Sequence, residues 1–354
     1  MIKNSYHCIG VMSGTSLDGI DLATIHFNIN NGTWSYKIHQ AETVAYTKKW
    51  VADLKNAINL NATELLEINE KYTSYLGEII NYFIENNQLQ SIDAVCSHGH
   101  TILHQPQNGF TLQIGNLPKI ATIVNQKIVC DFRVQDVKLG GQGAPLVPIG
   151  DRILFSEYDY CLNLGGFSNC SFELNNNRIA FDISPVNTVL NFYANQLDLN
   201  FDDEGKISRS GKINNALFAE LNNLDYYKKT PPKSLGFEFV KDTVLPIIEK
   251  YKIATADKMN TFTEHIAYQT QVALPIKKGK LLVTGGGAYN NFLIERMQFH
   301  LPKMEIILPD TNTLEFKEAL IFALLGVLKL RNENNVLSSV TGALKDHSSG
   351  IIFG

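Results

Sequence analysis

The sequence has little of what marks several large classes of protein. Its five cysteines form no CxxC pair, which disfavours a zinc site or a disulfide framework, and no apolar run approaches the length of a membrane span. Acidic and basic residues nearly balance, at a formal net charge of −4, and no basic stripe offers a surface to nucleic acid. The N-terminal residues lack the apolar core of a signal peptide. We therefore expect a cytoplasmic protein with reduced, buried thiols that binds neither membranes nor nucleic acid.

The common nucleotide-binding signatures are also missing. The chain contains no Walker sequence GxxxxGK[ST], and no GxGxxG follows a predicted strand. What it has instead is the segment GVMSGTSLDGID over residues 10–21, followed by an alternating apolar run. The apolar residues on either side of the turn predict a β-hairpin whose tip spans Ser13 to Gly19.

The tip of this hairpin has the composition of an anion-binding turn. Its glycines permit unusual backbone angles, its hydroxyls and N–H groups can converge on one anion, and its carboxylates lie where Mg²⁺ would bind. These residues are Ser13, Gly14, Thr15, Ser16, Asp18, Gly19 and Asp21. The same residue types dominate ordinary surface turns, so the residues alone leave both interpretations open.

The order of predicted elements occurs twice along the chain without a sequence repeat. Strands followed by helices come first, and a second round begins at Tyr160, after a connector rich in glycine and proline over residues 138–148. A chain of 354 residues can hold two domains, and this order favours two α/β lobes with a cleft between them. We predict an N-terminal lobe of residues 1–135 plus about 336–354, and a C-terminal lobe of residues 136–335.

Glycine turns follow apolar strands at three places: Gly14 to Gly19, Gly165-Gly166, and Gly285 to Gly287. One such turn is usually no more than a tight connection. Three of them, each at the start of a successive unit, favour a nucleotide site over three unrelated turns.

Polar side chains that could carry chemistry follow other strands. Asp182 ends an apolar strand, where it could act as a general base or cap the helix that follows. Arg133 and Asp136 follow another strand, and the arginine could clamp a carboxylate or form an ion pair at a domain interface. The turn from His98 to Thr101 contains two histidines, but no acidic or cysteine ligand in the same segment supports a metal site.

The string GVMSGTSLDGID resembles the nucleotide-binding signature of the anhydro-N-acetylmuramic acid kinases, a branch of the sugar kinase, actin and Hsp70 superfamily. Residues 163–169 (NLGGFSN) resemble the second phosphate motif of that family, and residues 284–290 (TGGGAYN) resemble its adenosine motif. Residues 140–148 and 339–343 match as well, and the motifs keep their order from residue 9 to residue 343. The resemblance implies an α/β fold of two actin-like (ribonuclease H-like) lobes, with ATP and substrate in the cleft between them.

The resemblance also implies a reaction and its residues. With ATP and Mg²⁺, the family opens a 1,6-anhydro amino sugar and phosphorylates it, and Asp182 matches the catalytic base. The hairpin-tip residues would bind the nucleotide, with Asp18 and Asp21 holding Mg²⁺ through water, together with Gly165, Gly166, Asn169, Gly285, Gly286, Gly287 and Asn290. The sugar would contact His98, Thr101, Arg133, Asp136, Asn187 and Glu318. A homodimer is implied by the resemblance alone.

The sequence departs from the family pattern beside the expected base. Residues 182–187 read DISPVN where the common family form is DTGPGN, and His100 stands where glutamine is usual. These changes leave open a kinase for a different cell-wall or amino sugar. Outside catalysis, a non-catalytic ATP-binding actin-like protein is the alternative, and a sugar hydrolase with paired carboxylates would leave the glycine turns unexplained.

Overall fold

A computed structural model of the protein describes residues 2–14 and 16–354. Within these residues the strands, in chain order, are β1 (Ser5–Ser13), β2 (Gly19–Asn30), β3 (Thr33–Ala45), β4 (Ala94–Gln105), β5 (Phe110–Ile114), β6 (Ile128–Cys130), β7 (Tyr160–Leu164), β8 (Phe167–Leu174), β9 (Asn177–Pro185), β10 (Gly279–Thr284), β11 (Met304–Ile307) and β12 (Ile351–Phe353).

The helices of the described residues lie between these strands. In chain order they are α1 (Lys48–Asn56), α2 (Ala62–Asn86), α3 (Lys119–Val124), α4 (Val134–Lys138), α5 (Pro148–Leu154), α6 (Asn187–Asn195), α7 (Lys206–Ser210), α8 (Asn215–Asn222), α9 (Asp225–Lys228), α10 (Phe237–Phe239), α11 (Leu245–Lys250), α12 (Thr255–Ala273), α13 (Asn291–His300), α14 (Thr311–Leu330) and α15 (Ser338–Thr341). Short 3₁₀ segments cover Ala57–Asn59, Pro106–Asn108, Asp203–Gly205 and Gly286–Tyr289, and Val240–Val244 form a π-helical turn.

Each of two compact units is built on one sheet, and five strands of the first sheet repeat the order of the five strands of the second. In the first unit the order is β12-β6-β4-β1-β2-β3, with β5 paired to β4. In the second unit it is β11-β10-β7-β8-β9. In both, three antiparallel strands come first in the chain and two parallel strands then add to the other side of the first strand. This confirms the predicted α/β fold with two ribonuclease H-like lobes.

The boundaries of the units differ from the boundaries predicted from the sequence. The first unit runs from the N-terminus to Leu154 and resumes at Phe316, and the second is Phe155–Glu315. Helix α5 belongs to the first unit because a Cβ at Gly150 would lie 2.1 Å from the Ile321 side chain. The change of unit inside α14 coincides with Phe316, whose φ and ψ of −107° and 21° leave the helical range. The apolar periodicity of α14 is continuous across this residue, so the sequence gives no signal of it.

Helix α2 illustrates how local sequence sets the core of the first unit. Asn61 accepts hydrogen bonds from the Thr63 and Glu64 N–H groups while the Glu64 carboxylate accepts from the Asn61 N–H, which is a capping box. Its buried residues recur at helical spacing and pack against the sheet: Ile68, Tyr72, Leu76, Ile80 and Phe83. In the second unit, α12 is buried along most of its length. Among the described residues, none of the helices combines the length and apolar character that crossing a bilayer needs.

Strand β1 and helix α14 approach so closely that a methyl group cannot be added between them. A Cβ on Gly10 would lie 1.9 Å from the Ala319 carbonyl oxygen. We expect Gly10→Ala to lower the free energy of unfolding by about 3 kcal/mol, because the backbone must shift to relieve the overlap. Urea unfolding measures the loss, and Gly14→Ala is the control because its nearest atom is the flexible Ser16 hydroxyl, at 3.2 Å. Equal stability of the two variants would contradict this account of the packing.

Candidate active site

The predicted hairpin is present, and its tip is ordered by its own side chains. Strand β1 ends at Ser13, β2 begins at Gly19, and the strands pair antiparallel. The Asp18 carboxylate accepts hydrogen bonds from the Ser16 hydroxyl at 2.7 Å and from the Gly19 N–H at 3.0 Å. A Cβ at Gly19 would lie 2.6 Å from the Val44 carbonyl oxygen, so only glycine permits this approach to β3. Thr15, also assigned to the tip, lies outside the described residues.

The hairpin brings carboxylates together on one side of the first unit. Asp21 accepts a hydrogen bond from the Thr43 hydroxyl at 2.6 Å, and the charges of Asp18 and Asp21 both raise the pKa of Glu318. Burial is the largest cause of that increase, because Glu318 is crowded by protein atoms although its side chain reaches solvent. No group of three or more metal-ligating side chains is found among the described residues. This donor set fits Mg²⁺ held by one or two carboxylates and completed by phosphate oxygens and water.

The Ser13 side chain points into the protein, where it joins a buried chain of hydrogen bonds. Its hydroxyl lies 2.6 Å from the Tyr46 hydroxyl and 2.7 Å from Nδ1 of His100, and Tyr46 in turn lies 2.5 Å from the Tyr72 hydroxyl. Burial lowers the pKa of His100 to about 4, so the ring is neutral near pH 7. The network fixes the end of β1, so Ser13 can serve a nucleotide through its backbone and through the position it gives the tip.

The neutral state of His100 makes stability depend on pH. Its pKa is about 4 in the folded chain against an ordinary 6.5, so the unfolded chain binds more protons below pH 6.5 and stability falls as the pH drops toward 4. Between pH 7 and pH 5 we expect the titration of His100 to lower the free energy of unfolding by about 2 kcal/mol. His100→Gln keeps a hydrogen-bond partner for Ser13 and removes the titration, so its unfolding free energy should fall less over that range. An equal loss in both proteins would contradict the assignment.

His98 and Arg133 form the second cluster of the first unit. Nε of Arg133 donates to Nε2 of His98 at 2.8 Å, and Nη1 donates to the Gly143 carbonyl at 2.6 Å. His98 Nδ1 lies 2.9 Å from the Gly99 carbonyl, which places its proton there. Burial lowers the pKa of Arg133 to about 10, against the opposing charges of Glu318 and Asp136. Nη2 has no hydrogen bond to the described residues, so it can donate to an incoming anion.

Asp136 was predicted to contact the sugar, but its carboxylate faces the protein. The residue is fully buried, Oδ2 accepts from the Gly143 N–H at 2.6 Å, and Oδ1 accepts from the Thr341 hydroxyl at 2.7 Å. A Cβ at Gly141 would lie 2.2 Å from Oδ2, which explains why this connector contains glycine. Asp136 therefore positions Gly143, the carbonyl to which Arg133 donates. Thr101 lies on β4, three residues after His98, is partly exposed, and accepts a hydrogen bond from Gln113 at 3.3 Å.

In the second unit, Asp182 lies on β9 and is held by a distant loop. Its N–H donates to the Lys233 carbonyl at 3.1 Å, its carbonyl accepts from the Tyr226 hydroxyl at 2.6 Å, and Oδ2 accepts from the Leu235 N–H at 2.8 Å. Burial raises the pKa of Asp182 above its ordinary value, and the Leu235 hydrogen bond opposes the increase. Helix α6 begins at Asn187 without a side-chain cap, so Asp182 does not cap it.

The remaining predicted residues of the second unit gather around the ends of β7 and β10. The Gly165 carbonyl accepts from the Asn187 N–H at 3.3 Å, and a Cβ at Gly285 would lie 2.7 Å from Asn163 Oδ1. A Cβ at Gly287 would lie 2.7 Å from the Leu164 Cβ. Asn169 is exposed on β8 and pairs with Asp182 across the sheet. The two glycine turns, Asn169 and Asp182 therefore lie at one end of this sheet.

Two predicted residues of this unit have side chains that are already engaged. Asn187 donates from Nδ2 to the Leu164 carbonyl at 3.3 Å, and Asn290 Oδ1 accepts from the Leu293 N–H at 2.9 Å as the cap of α13. Asn290 is also buried. Its side chain therefore starts a helix beside the third glycine turn, and a nucleotide would meet the backbone that this cap arranges.

Comparison with known proteins identifies the family of the chain. A family-level sequence profile described as "Anhydro-N-acetylmuramic acid kinase" matches residues 6–354. The chain is 32% identical to the anhydro-N-acetylmuramic acid kinase of Hydrogenovibrio crunogenus, covering 98% of this chain and 97% of that one. It is 34% identical to the one of Francisella tularensis subsp. novicida, covering 95% and 96%. The chain belongs to this family.

Membership of the anhydro-N-acetylmuramic acid kinase family confirms the resemblance that the sequence motifs carried. The protein is thus a kinase by family. The individual site residues stay predictions, and the contacts above decide what each of them could do.

Several residues that contact the candidate site residues gave no signal in the sequence. Tyr46 and Tyr72 read as ordinary apolar positions. Tyr226 of α9 and Leu235 of the loop that follows it are more than forty residues from Asp182 in sequence. Hydrogen bonds over such separations depend on the fold and not on local pattern.

Proposed function

We propose that the protein is an ATP-dependent kinase that opens 1,6-anhydro-N-acetylmuramic acid with water and phosphorylates it to N-acetylmuramic acid 6-phosphate. The observation that carries the proposal is Asp182, a partly buried carboxylate with a raised pKa that is held at three points by the loop around Leu235. A base so placed and so tuned suits proton abstraction from water. The family of the chain supplies the substrate class.

The reaction uses one base and one displaced oxygen. Asp182 takes a proton from water, and the water oxygen bonds to the anomeric carbon. The bond between that carbon and the bridging O6 breaks, and O6 bonds to the γ-phosphorus of ATP as ADP leaves. The Leu235 N–H keeps one carboxylate oxygen in place, which leaves the other for the water. Positioning of the reactants and preorganised dipoles would then supply most of the rate enhancement of phosphoryl transfer.

The hairpin of the first unit would hold the transferring phosphate. The backbone N–H groups of Gly14, Ser16 and Asp18 would bind the phosphate, whereas those of Leu17 and Gly19 donate within the tip to the Gly14 carbonyl and the Asp18 carboxylate. Asp18 and Asp21 would hold Mg²⁺ through water, and the ion would offset negative charge on the phosphate oxygens. The glycine turns at Gly165-Gly166 and Gly285 to Gly287 would receive the rest of the nucleotide.

Sugar recognition would rest on Arg133. N-acetylmuramic acid carries a lactyl carboxylate, and Nη2 of Arg133 can donate to it while Nε and Nη1 stay bound to His98 and Gly143. His98, Thr101 and Glu318 would complete the sugar contacts of this unit. Asn187 would contribute from the second unit.

The raised pKa of Asp182 predicts the acid limb of the rate profile. The base acts in its ionised form, so kcat/KM should fall as the pH drops through a pKa that lies above the ordinary 3.8 of an aspartate. Initial rates from pH 4 to pH 8 measure it, with ATP affinity measured at each pH to separate nucleotide binding from proton abstraction. A limb at or below pH 3.8 would contradict the role of Asp182.

Product analysis tests the function itself. With ATP and the anhydro sugar we expect ADP and a sugar phosphate whose mass exceeds that of the substrate by one water and one phosphoryl group. A product with only the phosphoryl group would indicate a simple kinase for another amino sugar. ATP binding with no sugar-dependent ADP would indicate a non-catalytic actin-like protein.

The proposed reaction implies a cellular process and a compartment. A product of this kind belongs to peptidoglycan recycling in the cytoplasm, where ATP is available and the free, buried cysteines of the chain would stay reduced. The family resemblance predicts a homodimer, which sedimentation of the purified chain would test. We expect no nucleic-acid or membrane partner.

A further inference from the structure

The second unit contains a cavity of about 390 Å³ that the proposed reaction does not use. Phe181 and Ile183, the neighbours of Asp182 on β9, line it, whereas Asp182 itself does not. Val272 and Ala273 of α12 form the facing wall. Its size falls in the range of small-molecule sites, roughly 300–1,000 Å³.

One side of this apolar cavity is positively charged. Lys229 and Lys233 line it, and neither forms a salt bridge with a carboxylate among the described residues. The Lys233 ammonium lies 4.7 Å from the centre of the Tyr226 ring and 5.8 Å from that of Phe181. Burial and the charge of Lys229 both lower the pKa of Lys233. Lys229 is exposed and its charge contributes to the lowered pKa of Asp225, whereas Lys233 is half-buried and donates to the Tyr226 carbonyl at 3.5 Å. An anion placed here would give the half-buried Lys233 an opposite charge while its apolar body covers apolar surface.

The segment that supplies these lysines also holds Asp182, and it consists of the end of α9 and the residues after it; we call it the 226–235 loop. Within residues 226–235, the Tyr226 hydroxyl, the Lys233 carbonyl and the Leu235 N–H each make a hydrogen bond to Asp182. Lys229, Pro231 and Lys233 of the same stretch line the cavity. A ligand that moves or stiffens this loop therefore changes the position of Asp182 directly.

We propose that this cavity is a regulatory site for a small organic anion with an apolar body, a carboxylate carrying an aliphatic chain, and that its occupation changes the rate of turnover through the 226–235 loop. A neutral chain of the same length would bring no opposite charge to Lys233 and should bind more weakly. The effect on turnover rests on the proposed function, whereas binding to the cavity does not.

Binding is tested by calorimetry on the full chain without ATP or sugar, with octanoate as the probe and octanol as the neutral comparison. We expect saturable octanoate binding, at least tenfold weaker binding of octanol, and about tenfold weaker octanoate binding by Lys229→Met. Ala273→Phe, which fills the cavity, should abolish binding. Lys278→Met, an exposed lysine that does not line the cavity, should bind as the unaltered chain does.

Several results would overturn the site. These are no saturable octanoate binding, equal affinity for octanol, or binding that both Lys229→Met and Ala273→Phe leave unchanged. If Ala273→Phe does not fold, the surface substitution Lys229→Met still tests whether octanoate binds at the cavity, with Lys278→Met as its control.

Coupling is tested by turnover with the anhydro sugar. Saturating octanoate should change kcat at least threefold in the unaltered chain and in Lys278→Met, with the half-effect concentration raised about tenfold in Lys229→Met. Binding with no change in kcat would overturn the coupling. If the chain shows no sugar-dependent turnover at all, the proposed function fails while the calorimetry still tests the site.

Discussion

Asp182→Asn should lower kcat with the anhydro sugar by roughly 10²–10⁴-fold, the range that loss of a positioned base produces. Asparagine keeps the size of the side chain and can still accept the Leu235 N–H with its amide oxygen, so the loop around it should stay in place. What it loses is the ability to take a proton from water. The affinity for ATP should stay within about twofold, because the base makes no proposed contact with the nucleotide.

The control for this substitution is Asp198→Asn, an exposed aspartate of the same unit. Its turnover should equal that of the unaltered chain. Steady-state rates, together with ATP titration calorimetry and an unfolding curve for each variant, separate lost chemistry from lost structure. Near-normal turnover by Asp182→Asn would show that another group removes the proton.

Arg133→Met should lower kcat/KM for the anhydro sugar by about 10²–10³-fold. The substitution removes the donor at Nη2 for the lactyl carboxylate, and it leaves His98 Nε2 and the Gly143 carbonyl without their charged donor. Losing one partner of a partly desolvated charge pair costs about 2–5 kcal/mol, which corresponds to this range of rate. Glu318 also loses the positive charge that now lowers its pKa, so it should bind a proton more readily.

A sugar without the carboxylate separates recognition from structure. With anhydro-N-acetylglucosamine, which lacks the lactyl group, Arg133→Met should change kcat/KM much less than with the natural sugar. Arg331→Met, an arginine of the same unit that pairs with Glu333, is the matched control and should behave as the unaltered chain. Equal losses with both sugars would assign Arg133 a purely structural role.

The features that could be predicted from the sequence are those that depend on the local pattern of apolar and glycine residues. Alternating apolar residues on both sides of Ser13 to Gly19 predicted the hairpin, and glycines after strands predicted the turns that the second unit brings to one end of its sheet. The repeated order of strands and helices predicted two α/β lobes, and the structure has one sheet in each unit. These features depend on neighbours in the chain, which a single sequence displays.

What could not be predicted depends on contacts between distant residues. Asp136 looks like a strand-end carboxylate, and only its hydrogen bond with Thr341, about two hundred residues later, shows that it faces inward. Ser13 looks like a free hydroxyl of a turn until Tyr46 and His100 are placed beside it. The unit boundary at Phe316 falls inside a helix whose apolar pattern does not change there.

The central claim is that the protein couples ring opening of an anhydro sugar to phosphorylation. The most direct measurement is sugar-dependent ADP release with 1,6-anhydro-N-acetylmuramic acid against N-acetylmuramic acid, its hydrated form, at equal concentrations. The account predicts release with the anhydro sugar and at least a hundredfold lower kcat/KM with the hydrated one, because water attack at the anomeric carbon supplies the attacking O6. Equal release with both sugars would contradict it.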